Sequence, residues 1–234
     1  MSITAEQGSV KHTVYPLCLN ISDRLCVVIG GGGVAERKVR GILAATGRVR
    51  VVSPVVTPGL AEMADLQVIE WRRQMYTASD LDGAFLVFAA TNNAEVQQVI
   101  HLDAKTAGLL INVADAPEWC DFQVPATVRR GELTLSVATN GRSPAVAAMV
   151  RERLDREFGK EYGLLTALAA LLRNQILAEE GDSEKTKILF QKILHDDIVD
   201  WLRERRWDNV QQHLESVLGR PVGRDLESLI KENP

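Results

Sequence analysis

Four consecutive glycines, Gly30 to Gly33, stand directly after the apolar run Val27–Ile29 and before a stretch with helical periodicity. Glycine loses more backbone entropy on folding than any other residue, so a run of four needs a local reason. The segment fits G-x-G-x-x-A, in which Gly30 permits a tight turn, Gly32 lets a pyrophosphate approach the backbone, and Ala35 lets helix and strand pack closely. The spacing predicts a dinucleotide site, with a mobile turn that binds no ligand as the alternative.

The residue that usually separates NAD from NADP stands about 20 positions later, at the end of the second strand. That position holds Ser53 here, followed by Pro54. A serine hydroxyl can bond to a ribose but does not repel a 2′-phosphate as a carboxylate would. Arg48 and Arg50 either favour NADP or are ordinary surface charges. The residues alone therefore leave the choice of coenzyme open.

A carboxylate follows the strand predicted at Leu109–Val113, in the segment Asn112–Pro117. Ligands of open parallel sheets bind at the carboxyl ends of the strands, which places Asp115 near the nicotinamide as a candidate general base. The alternative is that Asp115 nucleates an Asx turn before Pro117.

Two further polar segments have both a functional and a local interpretation. Thr91–Asn93 either bonds to a ribose or supplies a helix cap through Asn93. Thr139–Ser143 precedes a helix beginning at Pro144, so its backbone N–H groups and Arg142 form either an anion site or a capped helix start.

The elements that position these residues alternate between strands and helices up to about residue 115. The hydrophobic pattern predicts strands at Leu25–Ile29, Val49–Val52, Val68–Trp71, Ala84–Ala90 and Leu109–Val113. Helices are expected from Val34, over Pro58–Leu66 and over Ala94–Ala107. In the first helix we expect Glu36, Arg37, Lys38 and Arg40 to face solvent. This alternation is typical of an α/β fold with a Rossmann-like parallel sheet.

The pattern changes near residue 116. Phe122–Val128 and Glu132–Ala138 predict two antiparallel strands joined at Arg129–Gly131. Ser143 is expected to cap a helix whose apolar stripe is Met149, Val150, Leu154 and Phe158. We therefore predict an NAD-binding domain over 1–115, a dimerisation region of hairpin and helix over 116–158, and a helical domain over 159–234. In the last domain three or four helices from Tyr162 are expected to break at Gly181-Asp182, Asp208 and Gly219–Pro221.

Composition excludes several classes of protein. The 234 residues are 46% hydrophobic and 25% charged, with a net charge of −4, which gives no electrostatic case for binding nucleic acid or an anionic membrane. Residues 1–13 lack the apolar core of a signal peptide, and the longest apolar stretch, Leu164–Leu172, is too short to span a bilayer. The three cysteines form no C-x-x-C pair and the four histidines no ligand spacing. We expect a soluble cytoplasmic protein without a resident metal site.

Four motifs in the same order and spacing resemble the precorrin-2 dehydrogenase family, the dehydrogenase–ferrochelatase module of siroheme synthesis. They are YPLCLNISDRLCVVIGGGGVAERKVRGILAATGRVRVVSP, LVFAATNN, INVADAPEWCDFQVPA and RGELTLSVATNGRSPAVAAMVRERL. The resemblance covers roughly residues 14–158, because the helices that follow carry no sharp motif.

The resemblance implies NAD-dependent oxidation of the tetrapyrrole precorrin-2 to sirohydrochlorin. Many members also insert Fe²⁺ as a substrate to give siroheme, and the family is typically a homodimer. The alternatives are a dehydrogenase without chelatase activity and a non-catalytic module that senses NAD(H). The chain departs from the family pattern at Ala114, where valine is usual, at Asn92-Asn93, where aspartates are common, and at Thr139, so a phosphoserine role is not carried over.

The family pattern assigns the essential aspartate to Asp115. It assigns cofactor contacts to Gly32, Gly33, Val34, Pro54 and Val55. From their positions in the chain we add Gly30, Ser53, Thr91 and Asn92 as cofactor contacts. We expect the substrate to contact Asn112, Thr139, Asn140, Gly141, Arg142 and Ser143. The family uses NAD without an acidic residue on the second strand, which favours NAD here.

Overall fold

The structure is a computed structural model that describes residues 14–180, 183–222 and 228–229. The chain divides into two compact units between Val124 and Pro125. The predicted helix break at Gly181-Asp182 lies outside the described residues.

The first unit is an α/β sheet of five parallel strands, as predicted. Its strands are β1 (Leu25–Ile29), β2 (Arg48–Val52), β3 (Glu70–Arg72), β4 (Leu86–Ala89) and β5 (Leu110–Val113). Its helices are α1 (Gly33–Leu43), α2 (Pro58–Asp65) and α3 (Ala94–Thr106), with short 3₁₀ turns at Ala78–Leu81 and Pro117–Trp119. The strand order β3-β2-β1-β4-β5 reverses direction between β1 and β4. That reversal is the switch point at which open α/β sheets bind ligands.

All five strands end level with one another. Ile29 pairs with both Val52 and Ala89, and Ala89 pairs with Val113. The first residues beyond the strands are therefore neighbours along a single edge of the sheet. This register brings the glycine turn after β1 and the loops after β2, β4 and β5 to the same edge.

The sheet is covered on both faces, which explains its nearly continuous apolar strands. Val28 and Phe88 pack against α1 and α2 through Ala35 and Leu60. The opposite face packs against α3 through a cluster that contains Val27, Ile29, Val87, Ile100, Ala104 and Ile111.

Strand β3 begins at Glu70, two residues later than the predicted Val68. Gln67 adopts a left-handed φ of 58°, and the N–H groups of Gln67 and Val68 bond to carbonyls of the last turn of α2. Val68 therefore completes the end of the helix and is half exposed, and the strand starts only after Ile69.

The free edge of β5 is covered by the chain that follows it. Asp121 N–H donates to the carbonyl of Ile111 at 2.9 Å, and its carboxylate accepts the Ile111 N–H at 3.1 Å. The Sγ of Cys120 accepts the N–H of Val113 at 3.2 Å. These bonds satisfy an edge that would otherwise pair with another chain, and they anchor both ends of the loop that carries Asp115.

The second unit begins with the predicted hairpin, but the predicted bounds of its two strands are wrong. Strands β6 (Ala126–Arg130) and β7 (Leu133–Val137) are antiparallel, and Arg130 pairs with Leu133. The first strand starts after Pro125, which has no N–H to donate to a ladder. The loop is Gly131-Glu132, where Gly131 has a φ of 56°, so the predicted turn residues Arg129 and Arg130 lie within β6.

Five helices follow within the described ranges. They are α4 (Pro144–Glu157), α5 (Glu161–Glu180), α6 (Ser183–Ile193), α7 (Asp196–Arg203) and α8 (Trp207–Leu218). The last four share an apolar core that includes Leu168, Leu172, Ile198 and Leu214. Met149, in the predicted apolar stripe of α4, is 63% exposed in the single chain. The predicted break at Asp208 is wrong, since Asp208 lies in the first turn of α8. The predicted stop at Gly219 is confirmed by its left-handed φ of 69°.

Candidate functional site

The turn between β1 and α1 requires glycine at its first two positions. Gly30 has a φ of 125°, and a Cβ on it would overlap the carbonyl of Ala90. A Cβ on Gly31 would overlap the carbonyl oxygen of Val55 and lie 2.9 Å from the hydroxyl oxygen of Ser53. The requirement at Gly30 agrees with the predicted tight turn, whereas the need for glycine at position 31 was missed.

Gly32 and Gly33 face open space instead. Gly32 is the N-cap of α1, with φ −85° and ψ −176°, and no atom lies within 4 Å of a Cβ built on either glycine. The first N–H groups of a helix have no partner within it, and no side chain caps this one. Val34 is 38% exposed beside them. The start of α1 therefore presents bare main-chain N–H groups where a phosphate is expected.

The loop after β2 offers an apolar surface and no charge. The Ser53 hydroxyl donates to the carbonyl of Val55 at 2.7 Å, and the Ser53 carbonyl accepts the Trp71 indole N–H at 2.9 Å. The side chain of Ser53 is thus used within the loop, while Pro54 and Val55 are exposed.

The two arginines considered for a 2′-phosphate do not lie at this edge. Arg48 begins β2, and Arg50 donates to Glu70 and to the carbonyls of Asp80 and Asp82. Their proposed role in favouring NADP is therefore wrong.

The loop after β4 combines a helix cap with a tie to the next loop. Asn93 Oδ1 accepts the N–H of Val96 at 3.1 Å, which confirms the cap interpretation for Asn93. The amide of Gln97 donates to the carbonyls of Thr91 and Ala114, at 2.6 and 3.2 Å. Asn92 is exposed at the same edge. Gln97, which the sequence pattern did not single out, holds the β4 and β5 loops together.

Asp115 projects from the β5 loop in an uncommon backbone conformation. Its φ is 60°, in the left-handed region that non-glycine residues rarely adopt. The residue is exposed, and no hydrogen bond to its carboxylate is found within the part of the chain that the structure describes. An Asx turn needs the N–H two residues on, and Pro117 has none, so that alternative is wrong. Such backbone outliers are concentrated at functional sites.

Lys38 lies in this region too, contrary to the expectation that it faces solvent. Its ammonium donates to Asn112 Oδ1 at 2.6 Å and sits 5.2 Å from the ring centroid of Phe88. Burial lowers the pKa of Lys38, the positive charge of Arg37 adds to that shift, and the negative charge of Asp115 acts against it. Glu36 is also not free in solvent, since it accepts from the Thr57 hydroxyl at 2.6 Å.

The predicted anion segment lies in the second unit, where it forms a tight turn into α4. Ser143 Oγ accepts the N–H of Val146 at 3.2 Å, and Thr139 Oγ1 accepts the N–H of Ser143 at 3.2 Å. Asn140 and Gly141 have φ values of 51° and 73°. The cap on Ser143 is confirmed, and Arg142 is exposed beside it.

Within the described ranges, no three His, Cys, Asp or Glu side chains are grouped as metal ligands. The helices of those same ranges include none with the length and apolar character needed to cross a bilayer.

Two family models match the chain in succession. Residues 17–126 match a family described as "Putative NAD(P)-binding", and residues 130–157 match one described as "Sirohaem biosynthesis protein central".

Curated relatives are similar to most of this chain. A siroheme synthase of Methylobacillus flagellatus is 34% identical over 203 residues, which cover 85% of this chain and 44% of that protein. A siroheme synthase of Nitrosococcus oceani is 33% identical over 204 residues, which cover 87% of this chain and 43% of that protein. The chain thus spans less than half the length of these relatives. The solved structure of SirC, a precorrin-2 dehydrogenase, superposes with a TM-score of 0.73 at 24% identity, over 88% of this chain and all of SirC, which shows a shared fold.

Proposed function

This chain belongs to the siroheme-biosynthesis family defined by those two consecutive regions, and we propose that it oxidises precorrin-2 to sirohydrochlorin with NAD⁺. One observation carries the proposal. The open start of α1 and the exposed carboxylate of Asp115 follow strands that end level with one another, on either side of the switch point. That edge has a place for a dinucleotide and, beside it, a group that can take a proton.

The residues of the site fit a dinucleotide. The N–H groups of Gly32, Gly33 and Val34 suit its phosphates, since nothing occupies the space before them. Pro54 and Val55 give an apolar surface for the adenosine, and Thr91 and Asn92 stand across the switch point for the second ribose. NAD is favoured over NADP because Arg50 is bound elsewhere and the loop after β2 carries no cation.

Asp115 supplies the proton acceptor in this proposal. The oxidised nicotinamide, when bound, accepts a hydride from a ring carbon of the substrate. The carboxylate of Asp115 takes the accompanying proton, so that two electrons and two protons leave precorrin-2 in total. Its exposure and its lack of a described hydrogen-bond partner leave both oxygens available for this step.

Insertion of Fe²⁺ into sirohydrochlorin is the second activity that we propose. Metal insertion requires a group that collects the pyrrole N–H protons, and the same carboxylate is suited to it. The metal would enter as a substrate, which needs no resident ligand cluster. Dehydrogenation alone is the alternative outcome.

The second unit contributes to assembly and to substrate binding in our proposal. Val146 and Met149 are 45% and 63% exposed on α4, which supports a homodimer with β6, β7 and α4 in its interface. The turn Thr139–Ser143 with Arg142 would hold substrate carboxylates. The three unpaired thiols suit the cytoplasm.

An anaerobic assay tests the proposal. Purified protein is mixed with precorrin-2 and NAD⁺, NADH absorbance is followed, and Fe²⁺ is then added. NADH formation matched to sirohydrochlorin supports the dehydrogenase, and a siroheme spectrum after Fe²⁺ supports the chelatase. A module that only senses NAD(H) would bind the coenzyme without reducing it, which would overturn the proposal.

A further inference from the structure

The ammonium of Lys38 spans the switch point of the sheet. Its side chain leaves α1, crosses the ring of Phe88 on β4 and ends at Asn112 on β5, where Nζ donates to Oδ1 at 2.6 Å. It therefore reaches from the helix that begins at the glycine turn to the strand that carries Asp115. The charge of Asp115 acts on it, since it opposes the effect of burial on the pKa of Lys38.

The ammonium of Lys38 forms no ion pair within the described part of the chain. Among the residues that the structure describes, no carboxylate lies within the 4.0 Å of Nζ that defines an ion pair, and Asn112 is the hydrogen-bond partner found for Lys38. An ammonium has three N–H donors, so two remain for a ligand. A half-buried charge without a counter-ion is unfavourable, and an anion bound at this place would remove that cost.

Asn112 orients the ammonium and has little left to offer a ligand. It is only 8% exposed, its Oδ1 is bound to Lys38, and its Nδ2 donates to the carbonyl of Phe122 at 3.0 Å. The amide is thus fixed at both ends by the protein. This explains why a polar residue is buried near the end of an otherwise apolar strand.

The anion is not the pyrophosphate of the coenzyme. Lys38 stands five residues after Gly33, about 7.5 Å further along the axis of α1 at 1.5 Å per residue. Its side chain also ends at Asn112 on β5, which is two strands away from β1, the strand that leads into the glycine turn.

We propose that Lys38 binds a carboxylate of the tetrapyrrole substrate on the β4–β5 side of the strand ends, and that Asn112 acts through Lys38 by holding its ammonium in place. This inference rests on the proposed function, because it takes its ligand from that reaction. It assigns to Lys38 the direct substrate contact first expected of Asn112.

Steady-state kinetics of Lys38→Met test the proposal. We expect the KM for precorrin-2 to rise about tenfold, the lower end of the range for one hydrogen bond to a charged group, while the KM for NAD⁺ stays the same. Lys38→Arg keeps the charge and should recover most of the loss. Arg37→Met is the matched control, because Arg37 is an exposed cation on the same helix, and its KM values should equal those of the wild type.

A binding measurement separates this inference from the proposed function. Uroporphyrin, a stable porphyrin with eight carboxylates, is titrated into each protein while tryptophan fluorescence is recorded. Lys38→Met should bind uroporphyrin about tenfold more weakly than the wild type does. Its affinity for NAD⁺ should equal that of the wild type. Two outcomes would contradict the role of Lys38 in a protein whose wild type turns over precorrin-2. In the first, Lys38→Met keeps the wild-type KM for precorrin-2 and the wild-type affinity for uroporphyrin. In the second, Lys38→Met loses as much affinity for NAD⁺ as it loses for uroporphyrin. If the wild type forms no NADH, the proposed function itself fails.

Discussion

Substitution of Gly32 by alanine should separate coenzyme binding from folding. The backbone of Gly32 has φ −85° and ψ −176°, which any residue adopts, and a Cβ there meets no atom within 4 Å. Alanine is a poorer N-cap than glycine, at a cost of a few tenths of a kcal/mol to about 1 kcal/mol. It also lowers the entropy of the unfolded chain, a gain of about 0.4–1 kcal/mol. The free energy of unfolding should therefore change by less than about 0.5 kcal/mol.

The affinity for NAD⁺ should change much more than the stability does. The added methyl group occupies the space through which a phosphate must approach the N–H groups at the start of α1. Loss of one hydrogen bond to a charged group costs about 1.5–3 kcal/mol, so the Kd for NAD⁺ should rise roughly ten- to a hundredfold. Urea unfolding and calorimetric titration with NAD⁺ measure the two quantities on the same preparation.

Two other glycines provide controls for this measurement. Gly41→Ala lies in the same helix, also in open space, and should stabilise the protein by about 0.5–1 kcal/mol without changing NAD⁺ affinity. Gly30→Ala should destabilise it by at least about 2 kcal/mol, because of its positive φ and the overlap with Ala90. Wild-type NAD⁺ affinity in Gly32→Ala would refute the placement of the phosphates.

Two further predictions concern pH. Because burial lowers the pKa of Lys38, the KM for precorrin-2 should rise at an alkaline pH below the range of an ordinary lysine, and Lys38→Arg should abolish that rise. Burial opposes the ionisation of Asp80, but hydrogen bonds from Arg72, Thr77 and Gln74 outweigh it and lower its pKa. Asp80 therefore stabilises the fold above its unfolded pKa, and this is lost as pH falls through the lowered value. Asp80→Asn should cost about 2 kcal/mol at neutral pH in urea unfolding.

Each pH prediction has an outcome that contradicts it. A KM that rises equally in wild type and Lys38→Arg would show that another group titrates. For Asp80→Asn, the stability difference from wild type should shrink on acidification towards about pH 3. A difference that stays constant over that range would mean that the charge of Asp80 does not stabilise the fold.

The strands and the glycine turn were predictable because their causes are local. A strand covered on both faces is apolar throughout, and Leu25–Ile29 was placed with its correct bounds for that reason. The caps on Asn93 and Ser143 likewise depend on the residue type and the three residues that follow. Prediction failed where a hydrogen bond sets the bound of an element: the Val68 N–H bonds back to Met63 at the end of α2, so β3 begins only at Glu70. It also failed where the partner is distant in sequence.

Lys38 shows the same limit at the site. Its position next to the apolar stripe of α1 and its charge both suggest a solvated side chain. In the folded chain its side chain instead crosses the ring of Phe88 on β4 and reaches Asn112, 74 residues along the sequence. Gly31 was missed because its neighbour, Val55, comes from the loop after another strand. Asp115 was found from its place after a strand, but its left-handed backbone could not be predicted.

The role of Asp115 is tested most directly by Asp115→Asn. Asparagine tolerates the φ of 60° as well as aspartate does, so the substitution removes the charge and keeps the loop. NAD⁺ should bind to the variant with the wild-type Kd, while NADH formation from precorrin-2 falls by at least about a hundredfold, the contribution of a general base. Wild-type turnover in this variant would contradict the account.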